Sequence, residues 1–162
     1  MSKGLGSAMN PTIKIIDYDP RYAKKTVTMW RKSKEQAIGR KEGHSFENHV
    51  YFLNHMLNKD NDIKLAIESQ SDRVAGLLAF NRQEINQLYV YPDYQNCGIG
   101  RTFVDLAKKE SCGRLRLYTF EVNHKAQRFY ERNGFVIIAR GHENEEGLDD
   151  LLYEWVASPP RN

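Results

Sequence analysis

The residues whose types and spacing are best suited to chemistry run from Gln95 through Asn96, Cys97, Gly98, Ile99, Gly100 and Arg101 to Thr102. They follow a strand-like stretch, Leu88-Tyr89-Val90, which Pro92-Asp93 breaks. They lead into a segment where Ile99, Phe103, Leu106 and Ala107 recur at near-helical spacing. A loop that opens directly into a helix presents unpaired backbone N–H groups at the positive end of the helix dipole, and that geometry binds anions. Gly98 and Gly100 would let a ligand approach the backbone with no Cβ in the way. An anion site near residue 99, for a phosphate or diphosphate, is the first expectation. A dinucleotide fingerprint is a poor fit, because Phe103 stands where a third glycine belongs; a P-loop is excluded, because no Lys-Ser/Thr follows.

The other reactive residue types carry less. Cys97 and Cys112 have neither metal-ligand nor disulfide spacing and read as free thiols of a reducing compartment. His44, His49, His55, His124 and His142 show no ligand spacing, and no metal site is expected.

The elements that must position the glycine loop can be read in chain order. A first strand covers about Thr12 to Asp17. Asp19-Pro20 starts a helix that runs to about Lys34 with Ala23, Val27 and Trp30 on one face. A polar loop, Gly39 to His44, precedes a second helix capped by Ser45, with Phe46, Val50, Leu53 and Leu57 as its apolar face. Three strands then follow with tight turns, around Ile63–Ile67, Val74–Phe80 and Glu84–Val90, which predicts an antiparallel meander. Ile85 is out of phase with Leu88 and Val90. Either both faces of that strand are buried or a β-bulge inserts an extra residue. The helix of about Ile99 to Ser111 ends near Gly113, and strands at Arg114–Phe120, Phe135–Arg140 and Leu151–Val156 flank a short helix after Asn123 that Asn133-Gly134 ends. The expected fold is mixed α/β, a central sheet of about seven strands with four helices, antiparallel first and parallel at its middle.

Gln95-x-x-Gly98-x-Gly100, followed one crossover later by Asn123-x-x-Ala126-x-x-Phe129-Tyr130-x-x-x-Gly134-Phe135, resembles the two motifs of the GCN5-related N-acetyltransferases, the GNAT superfamily. The element order is similar to that family's over roughly residues 12 to 156. The resemblance implies acetyl-CoA as donor and a primary amine as acceptor. It implies that the diphosphate rests on the backbone of the loop through Thr102, with Arg101 near it or simply solvated. It implies that the pantetheine arm lies along Leu88, Tyr89 and Val90 like an added strand. An N–H near Leu88 or Tyr89 would meet the oxyanion. Asn123 is an N-cap by its position and, by the resemblance, a pantetheine contact. Tyr130 is a core tyrosine by its helix face and, by the resemblance, the acid for the departing thiolate. Glu84 lies eleven residues before Gln95, an offset similar to that of the base glutamate in the histone-acetylating branch; its plain reading is a solvated turn residue. Tyr89, His44, an acid of the 143–150 segment or bulk water are the other routes for the amine's proton.

In that family the loop between the first two helices and the last hairpin choose the acceptor. Here the first is basic (Arg40, Lys41) and the second acidic (Glu143, Glu145, Glu146, Asp149, Asp150), either a lure for a cationic acceptor or a solvated turn. The 162-residue chain has a net charge of +3 and no dense Lys/Arg stripe, which gives no reason to expect nucleic acid. No stretch approaches the roughly 18 apolar residues of a membrane span. The expectations are thus a cytoplasmic enzyme with one domain at residues 11–158, a flexible leader at 1–10 of the kind an expression tag leaves, and a tail at 159–162. A homodimer is left open. A non-catalytic acyl-CoA-binding module and a loop for some other anion are the rival readings.

Overall fold

The computed structural model describes residues 12–158, so the proposed leader at 1–10 and the tail at 159–162 lie outside the described residues. Strand β1 (Ile13–Asp17) comes first. Asp19 then accepts a hydrogen bond from the Arg21 N–H at 2.9 Å and caps a 3-10 turn, Pro20–Tyr22. Helix α1 (Ala23–Ile38) runs four residues past the expected end and stops where Gly39 turns left-handed at φ 71°. Helix α2 starts at Phe46–Tyr51 with the Ser45 hydroxyl as its cap. It continues as a π-helical stretch, Phe52–Leu57, and closes on Asn58–Asp60.

The meander follows as β2 (Asp62–Glu68), β3 (Arg73–Phe80) and β4 (Ile85–Val90). Helix α3 (Ile99–Glu110), β5 (Arg114–Phe120), α4 (His124–Arg132), β6 (Val136–Gly141) and β7 (Asp150–Val156) complete the order. Strand and helix numbers are as expected, but the sheet opens at its middle. Strands β1-β2-β3-β4 form one antiparallel sheet and β5-β7-β6 another. Among the described residues the only bridge between the two is a single parallel pair, Glu84 with Arg116.

The off-phase Ile85 is explained by a bulge. Phe80 pairs with Ile85 and Ala79 with Gln87, so Asn86 is the extra residue. A second irregularity sits in β3, where Ala66 pairs with Gly76 and Ile67 with Val74. The skipped residue there, Ala75, gives its carbonyl to the N–H of Tyr91 at 2.8 Å. The bulge at Asn86 lies between the Glu84–Arg116 bridge and the glycine loop.

Both faces of the first sheet are covered, which is why β3 is buried along nearly its whole length. Leu65, Ile67, Leu77 and Ala79 pack against Val27, Trp30, Leu53 and Leu57 of α1 and α2. Leu78, Phe80 and Ile85 pack on the other side with Phe103, Val104, Tyr130 and Phe135, around α3, α4 and the second sheet. No helix among the described residues is long and apolar enough to cross a membrane.

Candidate active site

A cleft of about 770 Å³ opens where β4 and β5 part. Its floor is Leu88, Tyr89 and Val90. One end is the loop from Gln95 through Asn96, Gly98, Ile99 and Gly100 to Arg101, and one wall is α4 from Asn123 to Arg132. Ser33, Gln36 and Ala37 of α1 close the other side.

The direction of the strand's hydrogen bonds follows from two contacts. The Tyr91 N–H donates to Ala75 on β3, whereas the Val90 carbonyl faces away from β3 and accepts from the Gln95 amide at 3.0 Å. Alternation along an antiparallel strand then turns the N–H groups of Leu88 and Val90 to the open side and that of Tyr89 to β3. With no strand there to pair them, these donors face the cleft, ready for an extended, amide-bearing ligand.

Gly98 caps α3 with a left-handed φ of 86°, and a Cβ there would have open space around it. Its carbonyl is taken by both the backbone N–H (3.0 Å) and the hydroxyl (2.9 Å) of Thr102. The helix therefore begins with its first N–H groups free and no side-chain cap over them. Gly100 has a different reason to lack a side chain. A Cβ there would stand 3.0 Å from the Phe129 ring, so this glycine lets α4 close on α3 rather than making room for a ligand.

The remaining expected site residues divide. Asn123 uses its side-chain oxygen to cap α4, accepting from the Ala126 N–H at 3.2 Å, and also lines the cleft. Tyr130 lines the cleft at 6 % exposure, with its ring against Phe129, Phe135 and Tyr153. Its hydroxyl has no hydrogen-bond partner among the described residues, and the residue lines the cleft. Burial, with the neighbouring Tyr89 adding to it, pushes the Tyr130 phenol well above its ordinary pKa and keeps it protonated. Tyr89 is shifted the same way by burial and then by Glu146 and Glu42.

Glu84 stands apart from the cleft lining. It is exposed at the start of β4, does not line the cleft, and its carboxylate accepts only from the Asn86 amide at 3.4 Å. It sits where β4 still touches β5, at the closed end of the fork, with the bulge between it and Leu88. Cys97 and Thr102 also lie outside the lining: the Cys97 thiol is exposed beside the Gln95 carbonyl at 3.7 Å, and the Thr102 hydroxyl is spent on Gly98. Cleft residues that the motifs do not mark include Gln36 on α1 and Lys125, Arg128 and Arg132 on α4. The α4 set had a signal in the sequence, cations spaced three and four apart on one helix face.

A second cavity, about 450 Å³, lies between the 39–45 loop and the 141–149 segment. The acidic segment is not a free negative surface. Lys34 bridges Glu42 at 3.5 Å and Glu146 at 2.7 Å, His44 meets Glu145 at 2.8 Å, and Arg40 donates to the Glu146 carbonyl at 2.5 Å. Burial raises Glu42, but Lys34 and the His44 N–H outweigh it and hold the carboxyl below its usual range. Glu145 holds His44 above the usual imidazole value. No group of three or more His, Cys, Asp or Glu side chains able to hold a metal ion occurs among the described residues.

Comparison with known proteins bears on this arrangement. Residues 60–137 match the family model described as "Acetyltransferase (GNAT) domain". The Campylobacter jejuni acetyltransferase PseH is 28% identical over 123 residues, 70% of this chain and 76% of that protein. The Escherichia coli peptidyl-lysine N-acetyltransferase YjaB is 28% identical over 79 residues, 49% of this chain and 53% of that protein. Among solved structures, a GNAT-family acetyltransferase from Staphylococcus aureus has a TM-score of 0.73 at 21% identity, covering 91% of this chain and 100% of its own. The PaiA N-acetyltransferase of Thermoplasma acidophilum, solved with coenzyme A, gives 0.67 at 19% identity over 90% of this chain and 99% of its own.

Proposed function

We propose that the chain, which resembles the GCN5-related N-acetyltransferases in its family-model match and its curated relatives, transfers the acetyl group of acetyl-CoA to a primary amine by direct attack on the thioester. The observation that carries the reading is the fork between β4 and β5, with an uncapped helix start at one end and the Tyr130 hydroxyl inside it. The fit to the donor is chemical. The free N–H groups at the start of α3 suit a diphosphate. The unpaired edge of β4 at Leu88 and Val90 suits the two amides of pantetheine. The cleft is lined by no aspartate or glutamate that would repel the phosphates. The amine-acceptor half is supported by the printed name of YjaB, a peptidyl-lysine N-acetyltransferase.

In this mechanism the neutral amine attacks the thioester carbon, a C–N bond forms, and the C–S bond breaks. The edge N–H of Leu88 or Val90 meets the oxyanion. Tyr130 donates its O–H to the departing sulfur. Its raised pKa makes it a dependable hydrogen-bond donor, and full transfer to a thiolate, whose ordinary pKa is about 8.5, is uphill. The proton leaving the nitrogen goes to water, since no carboxylate lines the cleft. CoA leaves as a thiolate hydrogen-bonded by Tyr130 and takes its proton from solvent, so the products are the acetylamide and CoA thiol.

The test is a thermal-shift titration with acetyl-CoA, followed by CoA-thiol release across a library of small amines and lysine peptides. Stabilisation by acetyl-CoA and amine-dependent thiol release are expected; their joint absence sinks the reading. Glu84→Gln is expected to leave the pH–rate profile unchanged, with kcat/KM rising with pH toward the acceptor's own pKa. Loss of an acidic limb in that variant would restore Glu84 as the base.

A further inference from the structure

The cleft holds more positive charge than a diphosphate at the start of α3 calls for. Arg101, Lys125, Arg128 and Arg132 line it, and no carboxylate among the described residues does. Arg101 belongs to the glycine loop and has Asp105 at 3.9 Å. The other three Lys/Arg residues belong to α4, and only Lys125 among them bonds to that loop. Lys125, Arg128 and Arg132 are spaced i, i+3 and i+7 on α4, so they share one face of a nine-residue helix. None of the three makes an ion pair among the described residues. The partner of Lys125 is neutral, the Gln95 amide oxygen at 2.5 Å, and Gln95 in turn holds the Val90 carbonyl. This contact ties the first cation of α4 to the loop that opens α3.

Three like charges on one helix face repel one another. Such a group in a concave site raises the local concentration of an anion. It lies on α4, whereas the backbone donors suited to the diphosphate begin α3. The reading of this cleft as an acyl-CoA site, on which this inference rests, provides a second anion of the right kind. The ribose of CoA carries a 3′-phosphomonoester, with a charge near −2 and three acceptor oxygens. Arg128 and Arg132 offer planar forks that match phosphate oxygens in pairs, and Lys125 adds a point charge. We propose that Lys125, Arg128 and Arg132 form a subsite for the 3′-phosphate, so that the protein discriminates CoA thioesters from their 3′-dephospho counterparts.

The experiment compares acetyl-CoA with 3′-dephospho-acetyl-CoA by calorimetric titration, for the full chain and for the Arg128→Gln/Arg132→Gln double variant. The full chain is expected to bind acetyl-CoA roughly tenfold or more tightly than the dephospho form. The double variant should lose most of that ratio, through weaker binding of acetyl-CoA with little change for the dephospho thioester. A charge-keeping Arg128→Lys/Arg132→Lys variant should retain part of the ratio and guards against a general loss of α4. Equal binding of the two thioesters by the full chain overturns the inference. So does a ratio that survives in the double variant, which would put the 3′-phosphate elsewhere. If neither thioester binds, the acyl-CoA reading falls first and takes this one with it.

Discussion

Tyr130 owes its position to packing: its ring is held among Phe129, Phe135 and Tyr153, while its hydroxyl lacks any partner among the described residues. Removing that hydroxyl leaves no buried donor orphaned, so Tyr130→Phe should keep the melting temperature and acetyl-CoA affinity of the unmodified chain. Turnover should fall by roughly tenfold or more, a loss at the low end for removing one proton donor. Loss of acetyl-CoA binding instead would make the residue structural. His49 shows the opposite balance. It is buried edge-on to Trp30, with ring centroids 4.2 Å apart. Burial lowers its pKa to about 4, helped by Arg31, Lys34 and His44 and opposed by Glu42. The unfolded chain therefore takes up a proton near pH 6.5 that the folded chain refuses until about 4. Stability from this group is complete above pH 6.5 and declines between there and pH 4, by on the order of 2 kcal/mol. Urea unfolding across that range should show a smaller slope with pH in His49→Gln than in the parent chain.

At the scale of elements, the contact between α3 and α4 depends on one missing side chain. Gly100→Ala would bring a Cβ within 3.0 Å of the Phe129 ring, and neither helix can retreat without disturbing Phe103 or Tyr130 in the core beneath. A cost of about 1–3 kcal/mol is expected, as for overpacking. Gly98→Ala meets no atom but must hold φ 86°, at about 1 kcal/mol. Equal losses from the two variants, measured by denaturant midpoints, would contradict the assignment of separate roles. The bulge at Asn86 works on the same scale. It shifts the pairing by one residue, so Ile85 and Leu88 both reach the α3 side of the sheet although three residues apart.

For the whole molecule, the two sheets diverge from one bridge, and charged contacts join the far loops that flank the second cavity. Lys34 is 19% exposed and sits between Glu42 at 7% and Glu146 at 21%. Replacing it by Met leaves two half-buried carboxylates facing one another without a cation. Lys34→Met should cost roughly 2 kcal/mol, and Glu42→Gln in the same chain should recover part of it. A melting temperature unmoved by Lys34→Met would show that solvent already screens the pair. The pairing also alters how the acidic 143–150 segment is to be viewed. Three of its neighbours, Lys34, Arg40 and His44, engage Glu145 and Glu146, so this segment ties the molecule together more than it attracts a cation.

The sequence by itself determined the order and type of the elements, because periodicity, caps and left-handed glycines are local. Asp19, Ser45 and Asn123 cap the helices they precede, and Gly39 ends α1. It also marked the loop at Gly98 and the tyrosine at position 130, since motif spacing survives without any knowledge of packing. It signalled the bulge through the phase of Ile85 while leaving both explanations open. Tertiary structure decided what depends on distance between segments far apart in the chain. It took Glu84 out of the cleft, since the bulge and the bridge to Arg116 hold that end of β4 closed. It gave Gly100 to Phe129 rather than to a ligand, and the acidic loop to Lys34 and His44. It also put three α4 cations on the wall of a carboxylate-free cleft, because burial and charge pairing are set by which surfaces meet, and a linear pattern records only what each residue is.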